Sequence, residues 1–272
     1  MGAVLLVLIL GLVGAIPIFP SSSSSTKSTG GMTYDQALPL ANSAAQGTSG
    51  GSWALVVSSG IVSSVAASEN LSTPGSSGCN LTTLPGVSNP ITLPAGPSNH
   101  TVGLSTSWLF LYRNAGGEML LVAVFDGQAS ALATIAAGQS CSTILGLLSV
   151  VPTTVIDSSV VASDVQSDAA SFLAAHPSVD ADYALIGGIS FLGRGVGAEW
   201  EVNYTTCPVD ASPGTTGTSF NATVNATTGA VLYHQMLPLI GCSSSAHVSL
   251  AHGGKPVPSL ERLPVISGAR RS

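Results

Sequence analysis

The carboxylates and histidines are the side chains of this chain best suited to chemistry, and they are sparse. The sequence has 13 Asp and Glu residues and 5 His among 272 residues. Two pairs of carboxylates are each separated by one residue, a spacing that puts both on one face of a strand and suits a metal ion or an acid–base couple. They are Asp180 with Asp182 and Glu199 with Glu201. Because no third ligand is nearby in the sequence, we interpret both pairs as solvent-exposed residues at the starts of strands.

The other candidate patterns for chemistry are weaker still. No two histidines have the spacing of a zinc hydrolase, and His176 is interpreted as the C-terminal residue of a helix. The glycine-rich residues 193–197 lack a lysine and a following helix, so they predict a turn rather than a phosphate site. The sequence therefore predicts no catalytic, cofactor-binding or metal site, and we expect no enzyme activity and no cofactor.

The cysteines predict disulfide bonds in an oxidising compartment. None has the spacing of a zinc, redox or haem motif, which leaves disulfides as the default. The four residues are Cys79, Cys141, Cys207 and Cys242. Cys141 and Cys242 occupy equivalent places in the two copies of a repeat described below, so we expect one bridge in each copy, Cys79–Cys141 and Cys207–Cys242. An exchange of partners between the copies remains open.

Asparagine sequons also indicate an exported protein that carries N-linked glycans. Asn-x-Ser/Thr motifs place candidate glycosylation sites at Asn70, Asn80, Asn99, Asn203, Asn221 and Asn225. A chain rich in Ser and Thr produces some of these motifs by chance. Together with the cysteines, however, they favour a location at the cell surface.

The amino-terminal segment could contact a membrane. Residues 3–19 form an uncharged apolar run, which is either an uncleaved transmembrane anchor or a cleaved export signal. We favour the anchor, because no Lys or Arg precedes the run. Residues 1–19 are therefore assigned to an anchor or signal helix, and residues 20–32 to a Ser-rich linker.

The charge composition excludes one class of partner. Only 7% of the residues are charged, the formal net charge is −6, and the isoelectric point is near 5.1. A nucleic-acid backbone requires clustered Lys and Arg, so we expect no nucleic-acid partner. Sparse charge also suggests an acidic environment, in which ionic networks are unreliable.

An internal repeat organises the rest of the chain. Residues 33–36 and the apolar strand that begins at Trp53 have counterparts in residues 163–166 and a strand that begins at Tyr183. A second match relates residues 108–112 to residues 200–204, both of which begin with Trp and end with Tyr.

The two matches have different offsets, which indicates an insertion within the first copy. We assign residues 33–142 to a first α+β repeat with an inserted loop at 68–100, and residues 143–242 to a second α+β repeat. Residues 243–272 are assigned to a C-terminal tail.

Capping boxes predict where the two helices begin. In each, a hydroxyl residue is followed three positions later by Gln: Thr33 with Gln36, and Ser163 with Gln166. The apolar run 119–125 predicts a strand buried on both faces, and Gly229 predicts a tight turn between two strands.

The second copy resembles the PepSY domain. Trp200-Glu201-Val202 is similar to the W-x-V strand of that family, and Val224 to Leu232 is similar to its V-D-x-x-T-G-x-V turn, with Asn225 in place of Asp. The resemblance implies an α+β fold of two repeats, each a helix packed on an antiparallel sheet, after the N-terminal transmembrane or signal helix. It also implies an extracytoplasmic module without catalytic residues.

Function is predicted at the level of class. We expect a non-enzymatic binding module at the cell envelope that inhibits peptidases or binds a protein or peptide through a free sheet edge or a groove. The alternative is a structural subunit of a surface filament or cell-envelope layer that acts through self-association. The binding module requires another protein as its partner, whereas the structural subunit requires a second copy of this chain.

Overall fold

The computed structural model describes ten segments of the chain. They are residues 31–49, 51–61, 81–83, 102–138, 145–177, 179–188, 190–191, 194–195, 197–206 and 215–242. Several predictions lie outside these residues: the segment 3–19, most of the linker and of the loop 68–100, Asn70, Asn80, Asn99, Cys79, Cys141, Cys207 and the tail 243–272. No helix among the described residues is long and apolar enough to cross a membrane.

Each half of the chain contains helical residues and four longer strands. The first half has α1 (Tyr34–Gln46), β1 (Ala54–Ile61), β2 (Leu81–Thr83), β3 (Ser107–Arg113), β4 (Met119–Phe125) and β5 (Gln128–Ile135). The second half has α2 (Ser158–Gln166), α3 (Ala170–Ala175), β6 (Asp180–Ile186), β7 (Ser190–Phe191), β8 (Arg194–Gly195), β9 (Glu199–Thr205), β10 (Thr215–Asn225) and β11 (Val231–Cys242).

The prediction of two separate helix-on-sheet repeats is wrong. The described strands form one antiparallel sheet in the order β11-β10-β9-β6-β1-β3-β4-β5-β2, beside a two-stranded β7–β8 hairpin. The halves join where β1 pairs with β6, from Val57 opposite Ile186 to Gly60 opposite Tyr183. Each half-sheet would otherwise expose an edge there, and pairing the two edges satisfies their backbone groups.

The duplication is visible in the order of the strands. On either side of the β6–β1 boundary, β6, β9, β10 and β11 follow one another just as β1, β3, β4 and β5 do. Trp108 pairs with Gly60 of β1, and Trp200 pairs with Leu185 of β6. The tryptophan match in the sequence therefore relates residues in equivalent strands.

The match between the helices is out of register by several residues. Helix α1 starts after Thr33, which forms the predicted capping box as its amide donates to Gln36 Oε1 at 3.1 Å. Helix α2 instead starts after Asp157, whose side chain accepts from the amide of Ser159. Ser163 lies inside α2, so the capping box predicted at Ser163 is wrong.

Small and apolar residues hold the helices against one face of the sheet. Tyr34, Ala37, Ala41 and Ala45 recur at helical spacing and are buried under α1, while Val161 and Val165 are buried under α2. Alanines on α1 leave room for the largest buried side chains of the sheet, which include Trp108, Trp200, Tyr112, Tyr183 and Tyr204.

Candidate functional site

The edge strand β11 is the most exposed apolar feature of the described sheet. β11 pairs with β10 on one side, and no described strand pairs with its other side. Its sequence, Val231–Cys242, contains no charged residue. Such an edge presents unpaired backbone N–H and C=O groups that another extended segment can use.

The side chains of β11 add apolar surface to this edge. Leu232, Tyr233 and Met236 are 52%, 50% and 61% exposed. Pro238 lacks a backbone N–H, so it removes one donor from the strand. β11 is the longest of the described strands and continues to Cys242. Its 12 residues give the sheet a long edge.

Aromatic rings lie beside β11 on the helix side. The ring of His234 stacks on Phe220 with centroids 5.7 Å apart, and its Nδ1 lies 3.5 Å from Asp168 Oδ2. Phe172 contacts both Phe220 and His176, at 6.2 and 4.9 Å between centroids. His176 follows Ala175, the last residue of α3, and is the C-cap residue of that helix. These rings pack against one another beside β11, next to the exposed Met236.

The opposite face of the second half carries a second feature, a polar surface that we call the polar rows. Strand register aligns Asp182 with Asn203 and Asn203 with Asn221 across β6, β9 and β10. Two residues further along the same strands, Glu201 stands opposite Thr223. Because alternate residues of a strand share a face, all five side chains belong to one surface.

Glu201 is not the solvent-exposed residue that the sequence suggested. Burial raises its pKa to about 7, the neighbouring Glu199 adds to the rise, and the hydrogen bond from Thr223 Oγ1 at 3.2 Å opposes it. Burial also raises the pKa of Glu199. Glu201 stands opposite Ala184 and Thr223, and neither carries a positive charge.

The two asparagines of the polar rows are partly unsatisfied. Asn203 Nδ2 donates to Asp182 Oδ2 at 3.2 Å, and Asn221 Nδ2 donates to Ser219 Oγ at 3.1 Å. Their Oδ1 atoms are buried without a hydrogen-bond partner. Asn221 as a whole is 9% exposed. Buried polar atoms normally have partners, so these two oxygens require an explanation.

The structure also bears on the predicted modification sites. Asn203 and Asn221 lie within strands, whereas Asn225 holds the turn before β11, its Oδ1 accepting from the amides of Thr227 and Thr228 at 3.0 and 2.9 Å. Gly229 in that turn has a φ of 76°, as predicted for a tight reversal. Cys242 ends β11, but its three possible partners lie outside the described residues, so the disulfide pairing stays a prediction.

No protein-family model, curated protein or solved structure matches this chain. Among the described residues, no group of three or more His, Cys, Asp or Glu side chains is placed to hold a metal ion. The carboxylate pairs were visible in the sequence. The position of the two asparagines beside Asp182 could be found only from the register of the strands.

Proposed function

We propose that this protein is a non-enzymatic binding module of the cell envelope, and that β11 is its docking edge. The partner is an extended, weakly charged segment of another protein, which would add as a further strand next to β11. The single observation that carries the proposal is the long, uncharged edge of Val231–Cys242, which no described strand pairs with and which has exposed apolar side chains.

The chemistry of β11 supports a partner with apolar side chains. Leu232 and Met236 extend from the strand near the ring of His234, and Met adapts its shape to different apolar partners. A charged partner side chain would find no opposite charge on β11 itself. Main-chain hydrogen bonds would supply affinity, and contacts to these side chains would supply selectivity.

The extracytoplasmic location remains part of the proposal. It rests on the apolar segment 3–19, which would anchor the chain in a membrane or export it, and on the sequons and cysteines. The PepSY resemblance of residues 200–232 points to the same class of module. A peptidase-inhibitory role would use the same edge, because peptidases bind extended segments.

A charge on the docking edge tests the proposal. We expect Met236→Lys to release the chain from its native complex, because a lysine on an edge strand opposes strand addition. The matched control is Val160→Lys, since Val160 is an apolar residue on α2 that is 44% exposed. Sedimentation of native membrane extracts measures the complex. Equal sedimentation of both variants and the wild type would refute the docking edge, and a complex that contains only this chain would favour the structural subunit.

A further inference from the structure

We propose that the polar rows form a binding site for a hard divalent cation, with Ca²⁺ as the ion that fits. The site consists of side-chain oxygens of Asp182, Glu201, Asn203 and Asn221. Ca²⁺ takes six to eight oxygen ligands from carboxylates, amide carbonyls and water, at about 2.3–2.6 Å. Carboxylate and amide oxygens are the donors that these four residues supply, and water would complete the shell.

The register brings the four residues together. Asp182, Asn203 and Asn221 stand in one row across three adjacent strands, and Glu201 stands in the next row. Directly opposed side chains have Cβ atoms about 4.5–5.5 Å apart, so an ion above Asn203 in the middle strand would lie within reach of Asp182 on one side and of Asn221 on the other. Asp182 and Asn203 are already in contact through their hydrogen bond of 3.2 Å.

The unsatisfied oxygens point independently to a ligand. Asn203 Oδ1 and Asn221 Oδ1 are buried and accept no hydrogen bond from the part of the chain that the structure describes. The nitrogen of each amide is engaged, one with Asp182 and the other with Ser219. Two buried acceptors thus stand beside two carboxylates, and a cation would compensate both the dipoles of the amides and the charge of the carboxylates.

The other half of the molecule shows that the fold does not require these residues. In β3 and β4 the equivalent pairs, counted from the matched tryptophans, are Leu109 opposite Ala123 and Leu111 opposite Leu121. These residues are buried and apolar. In β9 and β10 the corresponding pairs are Glu201 with Thr223 and Asn203 with Asn221. At these four positions polar side chains are thus specific to one half, as expected for a site rather than for a folding requirement.

The thermal midpoint of the full chain in CaCl₂ tests the site. With two carboxylates we expect a dissociation constant on the order of 10⁻⁴–10⁻³ M, so 10 mM Ca²⁺ at pH 8 should raise the midpoint by about 3–10 °C relative to EDTA. Equilibrium dialysis with radioactive Ca²⁺ should find about one bound ion per chain in this affinity range.

The variants use residues that the fold already accepts. Asn203→Leu with Asn221→Leu introduces the residue found at both equivalent positions, so the chain should fold, as circular dichroism will show, yet lose the calcium-dependent rise. Glu118→Gln changes a carboxylate in the turn between β3 and β4 and should keep the full rise. Equal rises in the wild type and the double variant would overturn the proposal. An absent rise in the wild type would also overturn it, and would mean that one amide rotates so that the two asparagines pair with each other.

Discussion

Trp108 and Trp200 meet edge to face in the core, with ring centroids 6.3 Å apart and an angle of 77° between the rings. Each indole also secures the start of the helix in its own half. Trp108 Nε1 donates to the carbonyl of Met32 at 2.8 Å, and Trp200 Nε1 donates to the carbonyl of Ile156 at 3.0 Å. The repeated residues thus join the two halves and position both helices.

Replacing either tryptophan should destabilise the whole protein. Trp108→Phe and Trp200→Phe each remove an indole hydrogen bond to a backbone carbonyl, at a cost of about 1–3 kcal/mol in the free energy of unfolding. The cost should be smaller for Trp108→Phe, because the Met32 carbonyl still accepts from the amide of Ser105 at 2.9 Å. The double variant should be non-additive by about 0.5–1.5 kcal/mol, because the rings contact each other. Urea denaturation measures all three. Strict additivity would show that the two rings do not couple the halves.

The carboxylate of Asp157 serves both helices. Its Oδ1 accepts from the amide of Asp35 in α1 at 2.8 Å, and its Oδ2 accepts from Ser159 in α2. Asp157→Ala should therefore lower the free energy of unfolding by about 1–2 kcal/mol. Ser163→Ala, at an exposed position within α2, should change it by less than about 0.5 kcal/mol. Urea denaturation of both variants checks this, and the reverse order would restore the capping box predicted at Ser163.

Stability should increase in acid. The pKa of Glu201 is raised from 4.5 to about 7 in the folded state, so the folded state binds more protons than the unfolded state between these values. The free energy of unfolding should then fall as pH rises from about 4.5 through 7, by about 2 kcal/mol when partial exposure is allowed for. The raised pKa values of Asp35 and Glu199 act in the same direction.

Glu201→Gln should flatten this pH dependence. Unfolding curves in urea between pH 4 and 8 measure it, with the wild type as the reference. A wild-type protein that gains stability from pH 4.5 to 7 would contradict the assignment of Glu201 as a buried carboxyl group without a compensating charge.

Two of the predicted glycosylation sites should carry no glycan. Asn203 and Asn221 lie in strands with their Nδ2 atoms hydrogen-bonded to neighbouring side chains, and an attached sugar would disrupt these bonds. Enzymatic removal of N-glycans in ¹⁸O-labelled water, followed by mass spectrometry, marks each occupied site. Label at Asn203 or Asn221 in folded, secreted protein would show that this face of the sheet is open.

Local signals predicted individual strands and turns, although the predicted fold of two helix-on-sheet repeats is wrong. The tryptophan match, the turn at Gly229 and the buried run at residues 119–125 are confirmed, since β4 is buried on both faces at nearly every position. Each of these features depends on residues close together in the sequence, so their types and spacing are enough to predict it. The duplication likewise reappears in the order of the strands.

The remaining features depend on contacts between distant residues. The β1–β6 pairing that makes one sheet joins strands from different halves, and neither strand carries a local signal for it. Ser163 and Gln166 imitate a capping box, but Asp157 provides the cap because it also contacts α1. The polar rows required the register of three strands before Asn203 and Asn221 could be placed beside Asp182.

The most direct measurement for the docking edge is site-specific photo-cross-linking in the native envelope. A photoreactive phenylalanine derivative would be placed at position 236 on β11 or, as the control, at position 160 on α2. We predict a discrete adduct with a second protein from position 236 and none from position 160. No adduct from position 236, or the same adducts from both positions, would contradict the assignment of β11 as the docking edge.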